Sequence, residues 1–144
     1  SKTSYISRDV VTKNAHLIDK YKVRISILVP QNGEAGVKPE KGYRSMSTPH
    51  LVYPGQVDSF SYLNIGFFDN ETEAENFRKY MMCKLPRFMM RTTYSSAHIS
   101  QSNFIFVPQM DYTRSWTDPE LYEHFGLSDE EIKLVETTMR PMAE

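Results

Sequence analysis

The sequence predicts an α+β fold: a mixed, largely antiparallel sheet with a central helix and a C-terminal pair of short helices. Three observations carry this expectation. Strand-period stretches at 21–29, 59–68 and 99–107 occur without regular βαβ alternation, a helical apolar period follows Asn70, and two capping boxes stand close together near the C-terminus. A chain of 144 residues, 40% hydrophobic and 24% charged, has the size and composition of one domain that buries its core without disulfides. The domain is expected to span 1–144, with 112–142 as a helical packing motif.

Residues 7–20 read as a short helix with Ser7 or Asp9 as cap, although Val10, Val11 and Thr12 are β-branched and equally suit a strand. The clearest strand is 21–29, where Val23, Ile25, Ile27 and Val29 form one face and Lys22 and Arg24 lie on the other, solvent-facing one. Pro30 ends it. Residues 30–50 hold three glycines and three prolines and read as a long loop. Leu51–Tyr53 suits a short strand before the Pro54-Gly55 turn, and the aromatic run 59–68 a longer one. Asn70 then caps a helix whose core face is Ala74, Phe77, Met81, Leu85 and Phe88, with Pro86 breaking it after Lys84 or Leu85. Residues 99–107 read as a third strand. Thr117-Asp-Pro-Glu120 and Ser128-Asp-Glu-Glu131 are capping boxes that start two short helices, the first closed by Gly126 and the second stopped by Pro141.

The net charge of -1 conceals a segregation. Between Asn76 and Arg91 lie five bases and no acid; between Trp116 and Met139 lie seven acids and one base, Lys133. Were the central helix continuous, Lys84, Arg87 and Arg91 would form a stripe able to follow a phosphate backbone. The alternative is a solvated face, or pairing with the acidic tail.

No catalytic motif stands out. Adenine methylation needs a glycine-rich cofactor turn and an Asn/Asp-Pro-Pro-Tyr-like loop for the extruded base, and neither is present. There is no P-loop and no Gly-x-Ser-x-Gly elbow. His16, His50, His98 and His124 are scattered, and the single cysteine, Cys83, excludes an internal disulfide and a multi-cysteine zinc site. No apolar run is long enough to span a membrane, and a cytoplasmic location is expected.

Several stretches appear in a telling order. They are Asp19-Lys20-Tyr21-Lys22-Val23, then Tyr62-Leu63-Asn64-Ile65-Gly66-Phe67-Phe68, then Glu73-Ala74-Glu75-Asn76-Phe77 and Lys84-Leu85-Pro86-Arg87-Phe88. The most specific ones follow: Asn103-Phe104-Ile105-Phe106-Val107-Pro108, Trp116-Thr117-Asp118-Pro119-Glu120-Leu121-Tyr122, and Phe125-Gly126-Leu127-Ser128-Asp129-Glu130-Glu131-Ile132. Over roughly residues 7–142 the chain resembles the C-terminal target-recognition region of bacterial type II restriction–modification adenine-specific DNA methyltransferases, including fused restriction/methyltransferase enzymes.

The resemblance implies a sequence-specific DNA-recognition domain, a fragment of a longer methyltransferase whose upstream half binds S-adenosylmethionine and methylates adenine N6. This chain is expected to be non-catalytic and to hold no cofactor or metal. Its implied partners are double-stranded DNA and the methyltransferase catalytic domain, in the same parent chain or a partner subunit. Lys84, Arg87 and Arg91 would hold phosphates. Arg24 and the 30–50 loop, through Gln31, Asn32, Lys41, Tyr43 and Arg44, would supply further contacts, since Arg reads guanine and Asn or Gln reads adenine in the major groove. Trp116, Leu121, Tyr122 and Phe125 are assigned to packing or to docking on the catalytic domain. Two other classes remain open: a protein-interaction module that docks a methyltransferase or restriction subunit, and a small nuclease using scattered carboxylates.

Overall fold

The computed structural model describes residues 3–30 and 38–143. The fold is α+β. Three antiparallel strands, β1 (Tyr21–Ser26), β2 (His50–Val52) and β3 (Tyr62–Phe68), form a sheet in the order β2-β1-β3. Helices α1 (Glu71–Met82) and α2 (Lys84–Arg91) pack against it, and α3 (Asp118–His124) and α4 (Asp129–Thr138) close the chain.

Strand β1 is central because both its faces carry packable side chains. Val23 and Ile25 are buried in the main core with Phe77, Met81, Leu85, Leu121 and Val135. Lys22, expected to face solvent, is also buried: its ammonium donates to the carbonyls of Leu17, Ile18 and Lys20. Three carbonyl acceptors satisfy the three ammonium donors, which makes the burial tolerable. Burial lowers the pKa of this lysine. The carbonyls come from a 3-10 turn at Ala15–Leu17 and its exit. Residues 7–20 are therefore not one helix. They form two 3-10 turns, Arg8–Val10 and Ala15–Leu17, separated by β-branched residues and by Asn14 in the left-handed region at φ 56°.

Strand β3 carries one extra residue. Val23 pairs with Gly66 and Arg24 with Asn64, so Ile65 has no partner across the ladder. Gly66 then permits close approach of α1: a Cβ there would lie 2.5 Å from a Phe77 ring carbon. Phe77 continues into a ring cluster with Phe68, Tyr80 and Tyr112, at centroid distances of 5.1–5.8 Å. Tyr80 donates to the Pro108 carbonyl at 2.7 Å and pins the 104–112 segment beside the cluster.

Helix α1 begins as expected, with Asn70 Oδ1 accepting from Glu73 N at 2.9 Å. It stops earlier than expected, at Met82, because Cys83 is extended (ψ 155°). Pro86 is the cause. In a continuous helix its ring would clash with the Met82 carbonyl; with the break at Cys83 it lies in the first turn of α2, where no amide donor is required. Cys83 offers that turn no side-chain cap. Asp118 of α3 supplies one instead, accepting from Lys84 N at 2.9 Å and Leu85 N at 3.1 Å.

The expected strand at 99–107 is not formed. Ile99 N donates to Ile27 O and Leu28 bridges His98, but pairing ends there. Asn103 Oδ1 accepts from Ser100 N at 2.9 Å and its amide reaches Thr93, which turns 101–104 into a 3-10 coil. Both C-terminal capping boxes form, and Gly126 takes the left-handed conformation (φ 61°). We predict that Gly66→Ala destabilises the fold by about 1–3 kcal/mol through overpacking against Phe77, measured as a lowered urea midpoint with unchanged slope.

Candidate nucleic-acid interface

Breaking the helix at Cys83 redirects its basic residues. Arg87 falls inside, 0% exposed. Its Nε donates to the Met82 carbonyl at 3.0 Å, which the helix break leaves without a backbone donor, and to the Cys83 carbonyl at 3.1 Å. Nη1 donates to Arg44 O at 3.2 Å and Nη2 to Arg140 O at 2.8 Å. Burial lowers its pKa to about 10. A guanidinium so enclosed cannot reach a phosphate. The role expected of Arg87 is corrected to that of an internal tie joining the α1–α2 junction, the loop at 43–45 and the tail at 140.

Lys84 turns toward the tail and pairs with Glu136, which also accepts from Tyr122 Oη at 2.8 Å. Arg24 pairs with Asp58 and lies over the Tyr62 ring, 4.3 Å from its centroid. Both are engaged with this chain's own carboxylates, so neither is the free cation expected from the sequence. Gln31 and Asn32 lie outside the described residues. Trp116, Leu121 and Tyr122 are buried in the chain's own core, whereas Phe125 is exposed and stacks edge-on against His124.

Of the other arginines, Arg44, Arg91 and Arg140 lie next to Tyr43 or its backbone. Arg91, at the C-terminal end of α2, lies over the Tyr43 ring with its guanidinium carbon 3.2 Å from the centroid. The Tyr43 backbone pairs with the tail: Tyr43 N donates to Thr138 O at 2.9 Å and Arg140 N to Tyr43 O at 3.1 Å. This pairing brings Arg140 to Arg44. Among the described residues, none of Arg44, Arg91 and Arg140 has a carboxylate partner. Arg44 Nη2 is held by Thr48 Oγ1 at 2.8 Å. Burial, then repulsion from Arg140, lowers the Arg44 pKa. Exposed Lys41 flanks the group, and Lys38 is tied to the Thr137 carbonyl.

Sequence reasoning misses Arg140. It sits just past the acidic tail, and its approach to Arg44 depends on a pairing across nearly a hundred residues that no local pattern announces. Gly42 is part of the same approach. Its φ is +85°, and a Cβ there would lie 2.9 Å from both Arg140 N and Thr138 O.

From Thr48 the surface continues into a groove of about 310 Å³ lined by Ser47, His50, Arg24 and Tyr62. Tyr62 also borders a larger hollow, of about 620 Å³, against the Ala15–Leu17 turn and the 56–60 loop. Among the described residues no three His, Cys, Asp or Glu side chains gather closely enough to hold a metal, and no helix is long and apolar enough to cross a membrane. No family model, no curated protein and no solved structure matches the chain.

Two measurements test this assignment of the basic residues. Replacing Arg87 with Leu leaves the Met82, Arg44 and Arg140 carbonyls without this donor, and a loss of at least about 3 kcal/mol is expected in chemical unfolding, given about 1–3 kcal/mol for each buried group so orphaned. Glu136 has its pKa lowered first by its hydrogen bond from Lys84. A depressed folded-state pKa means stability present above the ordinary glutamate range and lost as pH falls through the folded value. The stability difference between the wild type and Glu136→Gln should therefore shrink toward zero on acidification below that range, as read from unfolding curves at stepped pH.

Proposed function

We propose that this chain is a DNA-recognition domain, the target-recognition part of an adenine-N6 DNA methyltransferase of a restriction–modification system. The observation that carries the reading is Arg44 and Arg140, brought close enough to repel, with Arg91 over the neighbouring Tyr43 ring, and no described carboxylate paired with any of the three. Keeping like charges together costs energy, and a row of phosphates relieves that cost. A planar guanidinium donates two parallel hydrogen bonds to a phosphate, which makes arginine well suited to this surface.

The arginines position the duplex and carry no sequence information by themselves. Reading of bases falls to side chains beside them, with Lys41 and the Ser47–His50 groove the adjoining candidates. The ordered motifs that resemble methyltransferase C-terminal regions support the choice of parent enzyme. The acidic tail, by contrast, serves the fold: Asp118 caps α2 and Glu136 holds Lys84.

S-adenosylmethionine belongs to the other half of such an enzyme. The described glycines stand singly, at Gly42, Gly55, Gly66 and Gly126, and make no glycine-rich cofactor turn. No step of methyl transfer is assigned to these residues.

Charge reversal of Arg44, Arg91 and Arg140 together should abolish salt-sensitive binding to a labelled duplex. Single reversals should lower the slope of log K against log salt by about 0.9 for each phosphate no longer engaged. Lys84→Ala should leave the slope near its wild-type value. Equal slopes for the wild type and the triple variant, in anisotropy titrations at several salt concentrations, would count against the reading.

A further inference from the structure

The sheet ends differently on its two sides. Strand β2 is one edge and is blunt, three residues long with Pro49 before it and Pro54 soon after. Strand β3 is the other edge, seven residues with neither a charge nor a proline among them, and none of the seven is buried. Ile27 N donates to Ser61 O, which sets the phase of the ladder: β1 bonds to β3 through its odd-numbered residues. The partners of Lys22 and Arg24, which are Phe67 and Asn64, therefore turn their backbone N–H and C=O groups outward. Among the described residues, no backbone hydrogen bond beyond the β1 ladder reaches residues 63–68. The segment with the composition to cover this edge, 99–107, stands away from it, because the bonds of Asn103 to Ser100 and Thr93 coil it. Between the two remains an open hollow of about 800 Å³, walled by Ile65, Phe67 and Phe68 on one side and by Phe104, Val107 and Met110 on the other. No charged side chain among the described residues lines it. The far wall is fixed by Tyr80, which holds the Pro108 carbonyl, and by Met110 N, which donates to Tyr112 Oη at 3.3 Å. In that wall Ile105 and Phe106 are 68% and 55% exposed.

We propose that this edge is a docking surface for an extended, uncharged segment of a partner protein, which enters between β3 and the 104–110 wall as a further strand of the sheet. The chemistry selects that occupant. Outward backbone donors and acceptors are matched by another backbone, and walls of aliphatic and aromatic side chains are matched by apolar residues on that strand. A lining without charge offers no counter-ion, so a charged segment would lose its hydration and gain nothing in return. A second copy of this chain fits less well. Each copy carries the 104–110 wall across the approach to its own β3, so two such edges meet wall against wall, whereas a single free strand meets no such obstacle. An unprotected strand edge beside exposed Ile105 and Phe106 is otherwise a site of indiscriminate association. The surface shares no residue with the arginine group, and the inference does not depend on the nucleic-acid reading.

The probe is a blocked, uncharged peptide of alternating threonine and valine, about six residues long to match an ordinary strand, titrated into the whole chain and followed by NMR amide exchange. At saturation the backbone amides of Asn64 and Phe67 should exchange about tenfold more slowly, the protection expected of one new hydrogen bond each, while Leu63, already bonded to β1, should not change. The same peptide N-methylated along one edge should need about tenfold higher concentration, which separates strand pairing from apolar adhesion. Ile105→Asp, at an exposed position that spares the fold, should weaken binding about tenfold by replacing an apolar contact with a charge. Raising the salt should alter the affinity by less than about twofold, since no charge pair forms. Unchanged exchange at Asn64 and Phe67, equal binding of the N-methylated peptide, or indifference to Ile105→Asp would overturn the proposal. Protection of both amides in the free chain would do so too. Protection that rises with protein concentration would make a second copy the occupant, and protection independent of concentration would mean that residues 103–107 close the edge themselves.

Discussion

Arg87 is the interaction on which the rest of the structure depends. Pro86 forbids a continuous helix, and the break leaves the Met82 carbonyl without its helical donor inside the molecule. Arg87 satisfies it, touches the Cys83 carbonyl as well, and with its remaining donors reaches Arg44 and Arg140 in two distant parts of the chain. A buried cation is costly unless its donors are met. Here the acceptors are carbonyls of four residues rather than one carboxylate, so the charge holds backbone in place. The arginine thus converts a helix defect into a junction.

The surface cations are arranged around that junction. Because Arg87 fixes the carbonyls of residues 44 and 140, the side chains of Arg44 and Arg140 leave from a rigid base, and the Tyr43 pairing with the tail adds Arg91. Preorganisation of this kind lowers the cost of ordering side chains when a ligand binds. The acidic tail is no counterweight to these three. Its carboxylates answer Lys84, the amides at the start of α2 and its own helix caps.

Local chemistry is legible in the sequence wherever it is self-contained. The Asn70 cap, both C-terminal capping boxes, Gly126 and the alternation of Val23 and Ile25 each need only near neighbours, and each appears as read. The failures share one cause, a partner far along the chain or a side chain competing with the backbone. Lys22 reads as solvent-facing because the carbonyls that receive it belong to a turn and not to the strand pattern. Residues 99–107 have strand composition, yet Asn103 bonding back to Ser100 coils them. The basic stripe reads as continuous because i, i+3 and i+4 spacing assumes an unbroken helix, and the break turns Arg87 inward while leaving Arg91 outside. Nothing near Arg140 or Asp58 in the sequence signals the groups they meet.

The cap that Asp118 places on α2 has a further consequence. The start of that helix is completed by a residue more than thirty positions downstream, and the same helix carries Arg87, which waits for the carbonyl at 140. The second half of the central helical pair therefore cannot mature as it emerges during synthesis; it must await residues 118–140. Contacts that span so much sequence slow folding. A product truncated anywhere before the last helix would lose more than its own residues, because it would also leave the centre of the molecule unfinished.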